Sequence, residues 1–319
     1  MTNFARKITD ITALQKQWNA QDGILSKVKK YIVDKGDMLL AFREEQATVY
    51  YNGNQLCNMT SPDFDPTISE LFLPLLRSNI LESRLSKNGS KYKYISEREW
   101  QDRANIKNTS YTFADVLTEI QSNIKTHETP ESFFVSKLYK YSPLNPKNDS
   151  PIILLDIEAA FVASGEKENR IDLVFYHKEE KRLLFIEAKG FWDSRLFDKK
   201  NNAPEILSQM TCYKMLLNDP KEKENLKYQY NNVINCYNSL GNLNIPFIED
   251  NNPLLGLLIF GFNIDDKKSD KMKKMLSILD SHQIKYYCVG DTRSITNNTL
   301  LEVYKKVKQT TQQSLESKN

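Results

Sequence analysis

Three apolar segments follow one another between residues 152 and 191, and they limit the possible folds of this chain more than any other feature. They read IILLDIEAAFV (152–162), RIDLVFYHK (170–178) and RLLFIEAKGF (182–191), and each has the length and apolar content of a buried strand. The turn EEKR between the last two is short enough for a hairpin. The sequence therefore predicts three strands, two of them directly paired.

The segments around these strands predict helices and two further strands. ESFFVSKLYKY (131–141) precedes the three strands as a helix, and a helix over 204–217 follows them. LLGLLIFGFN (254–263) and IKYYCVG (284–290) are strand-like, with the helical segment KKMLSILDSH between them. This order is typical of a mixed sheet with helices on both faces, an architecture of the α/β class.

The first 128 residues predict a separate α+β module. A helical pattern spans 11–35, and MLLAFR and ATVYY predict strands, the second of which turns at Asn52-Gly53. Two more helical patterns occupy 69–87 and 112–125. The Asn-Gly hairpin could contact a partner or nucleic acid, or it could be purely structural. We expect three parts: the α+β module at 1–128, the mixed-sheet domain at 129–305 and a polar tail at 306–319.

Composition and charge exclude several classes of protein. The chain has 319 residues, of which 40% are apolar, so it contains enough apolar material for a core. No segment approaches the ~18 apolar residues of a membrane helix, and MTNFARKITD at the start lacks an apolar signal region. We therefore expect a cytoplasmic protein without a membrane partner. The net charge of +3 argues against a polycationic binder of nucleic acid but allows a local basic groove.

The predicted hairpin brings Asp172, Glu187 and Lys189 together. If the EEKR turn is centred between Glu179 and Glu180, Asp172 and Glu187 lie directly opposite each other, with Cβ atoms ~5 Å apart. Lys189 is two residues beyond Glu187 and projects from the same face. The strands thus place two acids and a lysine on an apolar scaffold. A surface ion pair is the simplest alternative, because acid-x-Lys is a common tripeptide.

Two facing carboxylates repel each other unless a cation neutralises them. The four cysteines form no CxxC pair and the three histidines are scattered, so we expect oxygen ligands for any metal. Mg²⁺, with Mn²⁺ as a substitute, could bind Asp172, Glu187 and the backbone carbonyl of Ala188. Such an ion polarises a phosphodiester and acidifies a bound water. Lys189 would position that water or stabilise the charge that develops on the phosphate.

Further acids near the hairpin are candidates for the same site. Asp156 and Glu158 alternate with apolar residues, so both are expected on one face of the first strand. If the ASGEKEN loop is symmetric, Ala160 lies opposite Asp172, and Glu158 lies one diagonal step away, where it would join the catalytic group. Glu131 begins the helix before the strands, where an acid either joins the site or complements the helix dipole.

Asp172 on one strand and the EAK motif beginning at Glu187 on the next, followed by a helix and another strand, resemble the PD-(D/E)XK nuclease superfamily. The resemblance covers about residues 131–290 and does not extend to the N-terminal module. It implies a restriction-endonuclease-like fold and Mg²⁺-dependent cleavage of phosphodiester bonds, with Asp172 and Glu187 as metal ligands. Lys189 would be the catalytic lysine. The chain has Ile171 where members of the superfamily often have proline.

The helix after the EAK motif carries a second element of this resemblance. Gln209 and Tyr213 are four residues apart and share one helix face. They resemble the QxxxY element of RecB-type exonuclease domains, where the pair lies beside the metal site and contacts nucleic acid or orders the site. The alternative is an amphipathic helix with a buried tyrosine. Arg195, in a polar loop with Lys199 and Lys200, could close over the phosphate backbone or simply be solvated.

These patterns predict a metal-dependent nuclease with DNA as the expected substrate and RNA as the alternative. Restriction, phage defence and repair are roles suggested only by analogy with the superfamily. A catalytically silent module on the same fold would instead bind nucleic acid or a protein. A general interaction protein would use the hairpin acids as surface pairs. A homodimer, or a partner protein held by the N-terminal module, is also compatible with the sequence.

Overall fold

The computed structural model of the chain describes residues 4–21, 24–69, 94–96, 130–161, 169–198 and 203–316. The helix predicted at 112–125, all but the first residue of the helix predicted at 69–87, and Lys199 and Lys200 lie outside the described residues. Within the described residues the chain is a mixed α/β protein with two five-stranded sheets. The predicted fold class is confirmed.

The first sheet is an antiparallel meander. Its strands, in spatial order, are β1 (Met38–Arg43), β2 (Gln46–Tyr51), β3 (Asn54–Thr60), β4 (Pro66–Ser69) and β5 (Tyr94–Ser96). The predicted hairpin joins β2 to β3, and its turn residues Asn52 and Gly53 have φ angles of 45° and 77°. Asn and Gly tolerate these left-handed values better than other residues, which is why this dipeptide predicts the turn.

The second sheet is mixed and carries the EAK motif. Its strands are β6 (Ile152–Phe161), β7 (Asn169–His177), β8 (Arg182–Gly190), β9 (Leu254–Phe260) and β10 (Tyr286–Val289). They lie in the order β10-β9-β8-β7-β6. The first three pair antiparallel, whereas β8, β9 and β10 pair in parallel. The mixed sheet predicted from these five segments is confirmed.

The α-helices among the described residues are α1 (Ile11–Trp18), α2 (Ile24–Lys30), α3 (Pro130–Ser136), α4 (Glu205–Asn218), α5 (Pro220–Gly241), α6 (Ile264–Lys268), α7 (Asp270–Ser281) and α8 (Asn297–Glu316). Helix α5 was not predicted from the sequence, although Asp219 caps it and Pro220 begins it, because lysine and asparagine dilute its apolar face. Helix α8 continues past residue 305, where the polar tail is predicted, and Val307 is buried. No helix in the described part of the chain is long and apolar enough to span a membrane.

Two apolar clusters cover opposite faces of the second sheet, since the consecutive residues Phe185 and Ile186 belong to different clusters. The cluster around Phe185 includes Trp18 of α1. The cluster around Ile186 includes Tyr304 of α8 and Leu39 of β1. Both clusters therefore contain residues of the N-terminal module, and apolar packing holds that module against the second sheet.

Candidate active site

Strands β7 and β8 pair in the register predicted from the turn. The pair Leu173–Ile186 sets Asp172 opposite Glu187 at the next position along the hairpin. The ammonium of Lys189 lies 2.5 Å from Glu187 Oε1 and 3.4 Å from Asp172 Oδ2. A short turn leaves little freedom of register, which explains why this part of the site was predictable. The structure brings the three residues together as expected.

Lys189 Nζ lies among four oxygen atoms. Besides the two carboxylates, it contacts the Ala188 carbonyl at 3.1 Å and Glu131 Oε1 at 3.6 Å. The N–H of Ala188 donates to Asp172 Oδ2 at 2.7 Å and so orients that carboxylate. Glu187 and Lys189 are each 1% exposed. The alternative of a surface ion pair is therefore wrong for these two residues.

Three carboxylates share this ammonium, so negative charge is in excess around it. Burial, reinforced by the nearby Asp172 carboxylate, raises the pKa of Glu187. Burial would lower the pKa of Lys189, but the surrounding carboxylates outweigh it and raise that pKa above its ordinary value. Burial also raises the pKa of Glu131. The excess of acids keeps the lysine protonated, and together with burial it favours the protonated form of Glu187.

One oxygen of the most buried carboxylate has no partner. Glu187 Oε2 is inaccessible and accepts no hydrogen bond from any described residue. Asp172 Oδ2 and Glu187 Oε1 are at most about 6 Å apart, because both lie close to the same Lys189 nitrogen. These oxygens and the Ala188 carbonyl are hard ligands, so the residues fit Mg²⁺ or Mn²⁺ if Lys189 moves aside. The described residues contain no group of three His, Cys, Asp or Glu side chains arranged to hold a metal.

Helix α4 holds the buried glutamate from the other side. Gln209 Nε2 donates to Glu187 Oε1 at 2.7 Å and to the hydroxyl of Tyr213 at 2.8 Å. That hydroxyl in turn donates to the carbonyl of Arg170 on β7. Tyr213 is buried, so its surroundings fit the ordering role better than direct contact with nucleic acid. The pair therefore connects α4 to both strands of the hairpin.

Glu131 and Arg195 form the outer rim of the cluster. Glu131 lies in the first turn of α3, with Oε2 3.9 Å from Arg195 Nη2. Arg195 is held more closely by Asp193, at 2.5 Å, and its side chain remains 41% exposed. The rim thus carries an accessible guanidinium beside the acids. This position is compatible with the predicted contact to a phosphate backbone.

Strand β6 departs from the expected alternation in two places. Its register against β7 shifts between Leu154 and Asp156, and Glu158 has a positive φ of 48°. The expectation that Asp156 and Glu158 share one face is wrong, because it required a regular strand. Asp156 contacts Tyr230 of the cluster around Phe185, whereas Glu158 borders a cavity lined by the other cluster.

Glu158 nevertheless reaches the predicted site. The pairs Ile157–Leu173 and Ala159–Ile171 set Glu158 opposite Asp172, where the sequence analysis expected Ala160. Glu158, Asp172 and Glu131 line one cavity of about 130 Å³. Burial raises the pKa of Glu158. Seven residues of sequence separate β6 from β7, which is too many to fix the register, so the prediction missed it by two residues.

The Asn-Gly hairpin of the N-terminal module closes this cavity. Gly53 lines it together with Ser132 of α3. Gly53 has a positive φ, and a Cβ atom there would collide with Ser132. Glycine is therefore required both by the turn and by the close approach of the two backbones. The sequence analysis left the role of this hairpin open, and the structure brings it to the edge of the acidic cluster.

The chain was compared with protein-family models, with curated proteins and with solved structures, and no match was found in any of the three. The geometry of Asp172, Glu187 and Lys189 consequently carries the functional argument by itself.

Proposed function

We propose that the chain is a metal-dependent nuclease that hydrolyses phosphodiester bonds, with DNA as the expected substrate. One observation carries the proposal. The ammonium of Lys189 lies where oxygens of Glu187, Asp172 and Ala188 converge, and the other oxygen of Glu187 is buried without a partner among the described residues. An excess of buried carboxylates is costly unless a cation offsets it, and a divalent cation would do so.

The residues present suggest a division of roles. Asp172, Glu187 and the Ala188 carbonyl would hold Mg²⁺ or Mn²⁺. When bound, such an ion lowers the pKa of a coordinated water and polarises a phosphodiester. Lys189 would then be released towards the phosphate, where its ammonium would position the attacking water or stabilise the charge that develops. Gln209 would keep Glu187 oriented through its bond to Oε1.

The two glutamates that line the cavity beside Asp172 would have a second role, in proton transfer. Glu158 and Glu131 line the space beside Asp172 and have raised pKa values because they are partly buried. A raised pKa makes a carboxylate a stronger base, so these groups would be suited to accept a proton from a water. Restriction, phage defence and repair remain roles suggested by analogy, and RNA remains the alternative substrate.

Nuclease assays test the proposal directly. We expect the wild-type chain to cut plasmid, linear duplex, single-stranded DNA or RNA in the presence of Mg²⁺ or Mn²⁺, and to be inactive in EDTA. Lys189→Ala should be inactive, whereas Lys181→Ala, at the exposed ion pair with Glu249, should keep full activity. Thermal denaturation of each variant verifies that it is folded.

Two outcomes would contradict the proposal. Cleavage that persists in EDTA, or in folded Lys189→Ala, would remove the metal and the lysine from the reaction. Binding of nucleic acid without cleavage in any metal would favour the catalytically silent module. Comparison of the four substrates separates DNA from RNA as the target.

A further inference from the structure

A second and larger cavity lies next to the catalytic one. It has a volume of about 410 Å³. The residues that line it include four bases, Lys35, Lys137, Lys140 and Arg293, and one acid, Asp37. In a chain whose net charge is only +3, this is a pronounced local concentration of positive charge.

The two cavities share their walls at three points of the chain. Asn52 lines the basic cavity and the next residue, Gly53, lines the catalytic one. Val135 and Tyr139 line the catalytic cavity, and the residue that follows each of them lines the basic one. The Asn-Gly hairpin and the region of α3 therefore form a thin partition between an acidic and a basic compartment.

The structure orients two of the ammonium groups with uncharged partners. Lys140 Nζ donates to the carbonyl of Ile295 at 2.8 Å, and Lys35 Nζ lies 4.4 Å from the centre of the Tyr31 ring. A carbonyl and an aromatic ring hold an ammonium in place without neutralising it. Arg293 differs, because its guanidinium is paired with Asp291 at 2.5 Å. Lys35 and Lys140 therefore keep their positive charge beside the cavity, whereas Asp291 offsets the charge of Arg293.

We propose that the basic cavity binds a phosphate group of the nucleic-acid strand whose neighbouring phosphodiester is cut in the catalytic cavity. The inference rests on the proposed nuclease function and names its substrate-binding subsite. The carboxylates of Glu131, Glu158 and Asp172 repel a polyanion, so binding energy must come from elsewhere. Lysine ammonium groups next to the site supply it through contacts with the phosphate backbone.

This subsite gives the N-terminal module a function in the reaction. Lys35 follows α2 in that module, whereas Lys137 and Lys140 follow α3 in the mixed-sheet domain. A phosphate between them would be held by both parts of the chain. The hairpin tip at Asn52 and Gly53 would then lie between the anchored phosphate and the phosphodiester to be cut.

Binding measurements in EDTA test the subsite separately from cleavage. We expect fluorescein-labelled DNA to bind the wild-type protein with a salt dependence that Lys35→Gln/Lys137→Gln reduces. Removal of two phosphate contacts should lower the slope of log K against log salt by about two and weaken binding at least about tenfold at low salt. The control Lys221→Gln/Lys273→Gln removes the same charge from exposed positions on α5 and α7 and should leave both values unchanged.

The outcomes distinguish this inference from the nuclease proposal. If the double variant binds and cuts DNA like the wild type, the subsite is wrong while the nuclease remains. If inorganic phosphate raises the melting temperature of the wild type but not of the double variant, and neither binds DNA, the cavity accepts a free phosphate and the nucleic-acid assignment is overturned. Weaker binding by the folded double variant with an unchanged slope would mean that no phosphate contact was removed, and it too would contradict the inference.

Discussion

Two clusters of buried charged residues lie on the second sheet, and they differ in how completely their acids are paired with bases. On β6, Asp156 is paired with Arg6 at 2.9 Å and with Arg43, and both of its oxygens accept hydrogen bonds. On β8, Glu187 shares Lys189 with other carboxylates, and one of its oxygens has no partner among the described residues. In the first, which we call the balanced cluster, the single acid is fully compensated by two arginines, although Arg6 Nη2 has no hydrogen-bond partner among the described residues. In the second, the unbalanced cluster, acids outnumber bases.

The pKa values follow this difference. Burial would raise the pKa of Asp156, but the arginines hold it below its ordinary value. Burial raises the pKa of Glu187, and Lys189 does not compensate because Asp172 opposes it. Both arginines belong to the N-terminal module, so the balanced cluster joins the two parts of the chain. The balanced cluster therefore supports the fold, and the unbalanced one is the cluster to which we assign the proposed function.

The largest expected effect is loss of cleavage in Asp172→Asn. The substitution preserves shape but removes a proposed metal ligand, so the rate should fall about 10³-fold or more. The stability should be unchanged or higher, because one of the mutually repelling carboxylates has become neutral. Rate measurements in Mg²⁺ and thermal denaturation in EDTA check the two parts. If Asp172→Asn were inactive because it is less stable than the wild type, the proposed difference between the two clusters would be wrong.

For Asp156→Asn we expect the opposite effect on stability, which is a large loss. This substitution leaves Arg6 and Arg43 without a buried counter-charge, so the free energy of unfolding should decrease by about 3–5 kcal/mol. Urea denaturation measures the change. Asp270→Asn, at a side chain that is 99% exposed, is the control and should change stability by less than about 0.5 kcal/mol. A loss below about 1 kcal/mol at Asp156 would mean that this cluster does not hold the fold.

Metal binding and pH should both change the stability of the folded chain through the unbalanced cluster. Burial and Asp172 raise the pKa of Glu187 to about 8 in the folded chain, above its value of about 4.3 when unfolded. The stability that this proton contributes is complete below the unfolded pKa and is lost as the pH rises through the folded one. Without metal, stability should therefore decline between about pH 5 and pH 8. Glu187→Gln should remove the part of this decline that Glu187 causes, whereas Glu131 and Glu158, whose pKa values are also raised by burial, keep the rest.

Mg²⁺ should restore the stability that the folded chain loses as the pH rises. At a concentration a hundred times its Kd, the ion should stabilise the wild type by about 2.7 kcal/mol at pH 8. Glu187→Gln should gain much less. Melting curves over a series of pH values and Mg²⁺ concentrations measure both effects. Equal stabilisation of the variant by Mg²⁺ would show that the ion binds somewhere else.

The smallest effect is expected for Tyr213→Phe. The variant loses the hydroxyl that accepts from Gln209 and donates to the Arg170 carbonyl, so it should lose about 1 kcal/mol of stability. If Tyr213 only orders the site, kcat should fall modestly while KM for DNA is unchanged. A raised KM at constant kcat would instead indicate contact with nucleic acid, and the buried side chain of Tyr213 would then have to become exposed on binding.

Much of the fold was predictable because its signals are local. The five strands of the second sheet, the Asn-Gly hairpin and the α4 helix follow from apolar periodicity and turn chemistry. The long helix α5 was missed because its apolar face is diluted by polar residues. The register of β6 could not be predicted, since a long loop and an irregular strand separate Glu158 from Asp172.

The sequence by itself determined that Asp172, Glu187 and Lys189 meet, because a short turn and the two-residue period of a strand fix their positions. Only the tertiary structure decided which acids are neutralised. Arg6 and Arg43 reach Asp156 from more than 100 residues away along the chain, whereas Glu187 receives no such partner among the described residues. Charge balance in a buried site depends on these long-range contacts, and neither residue spacing nor net charge contains that information.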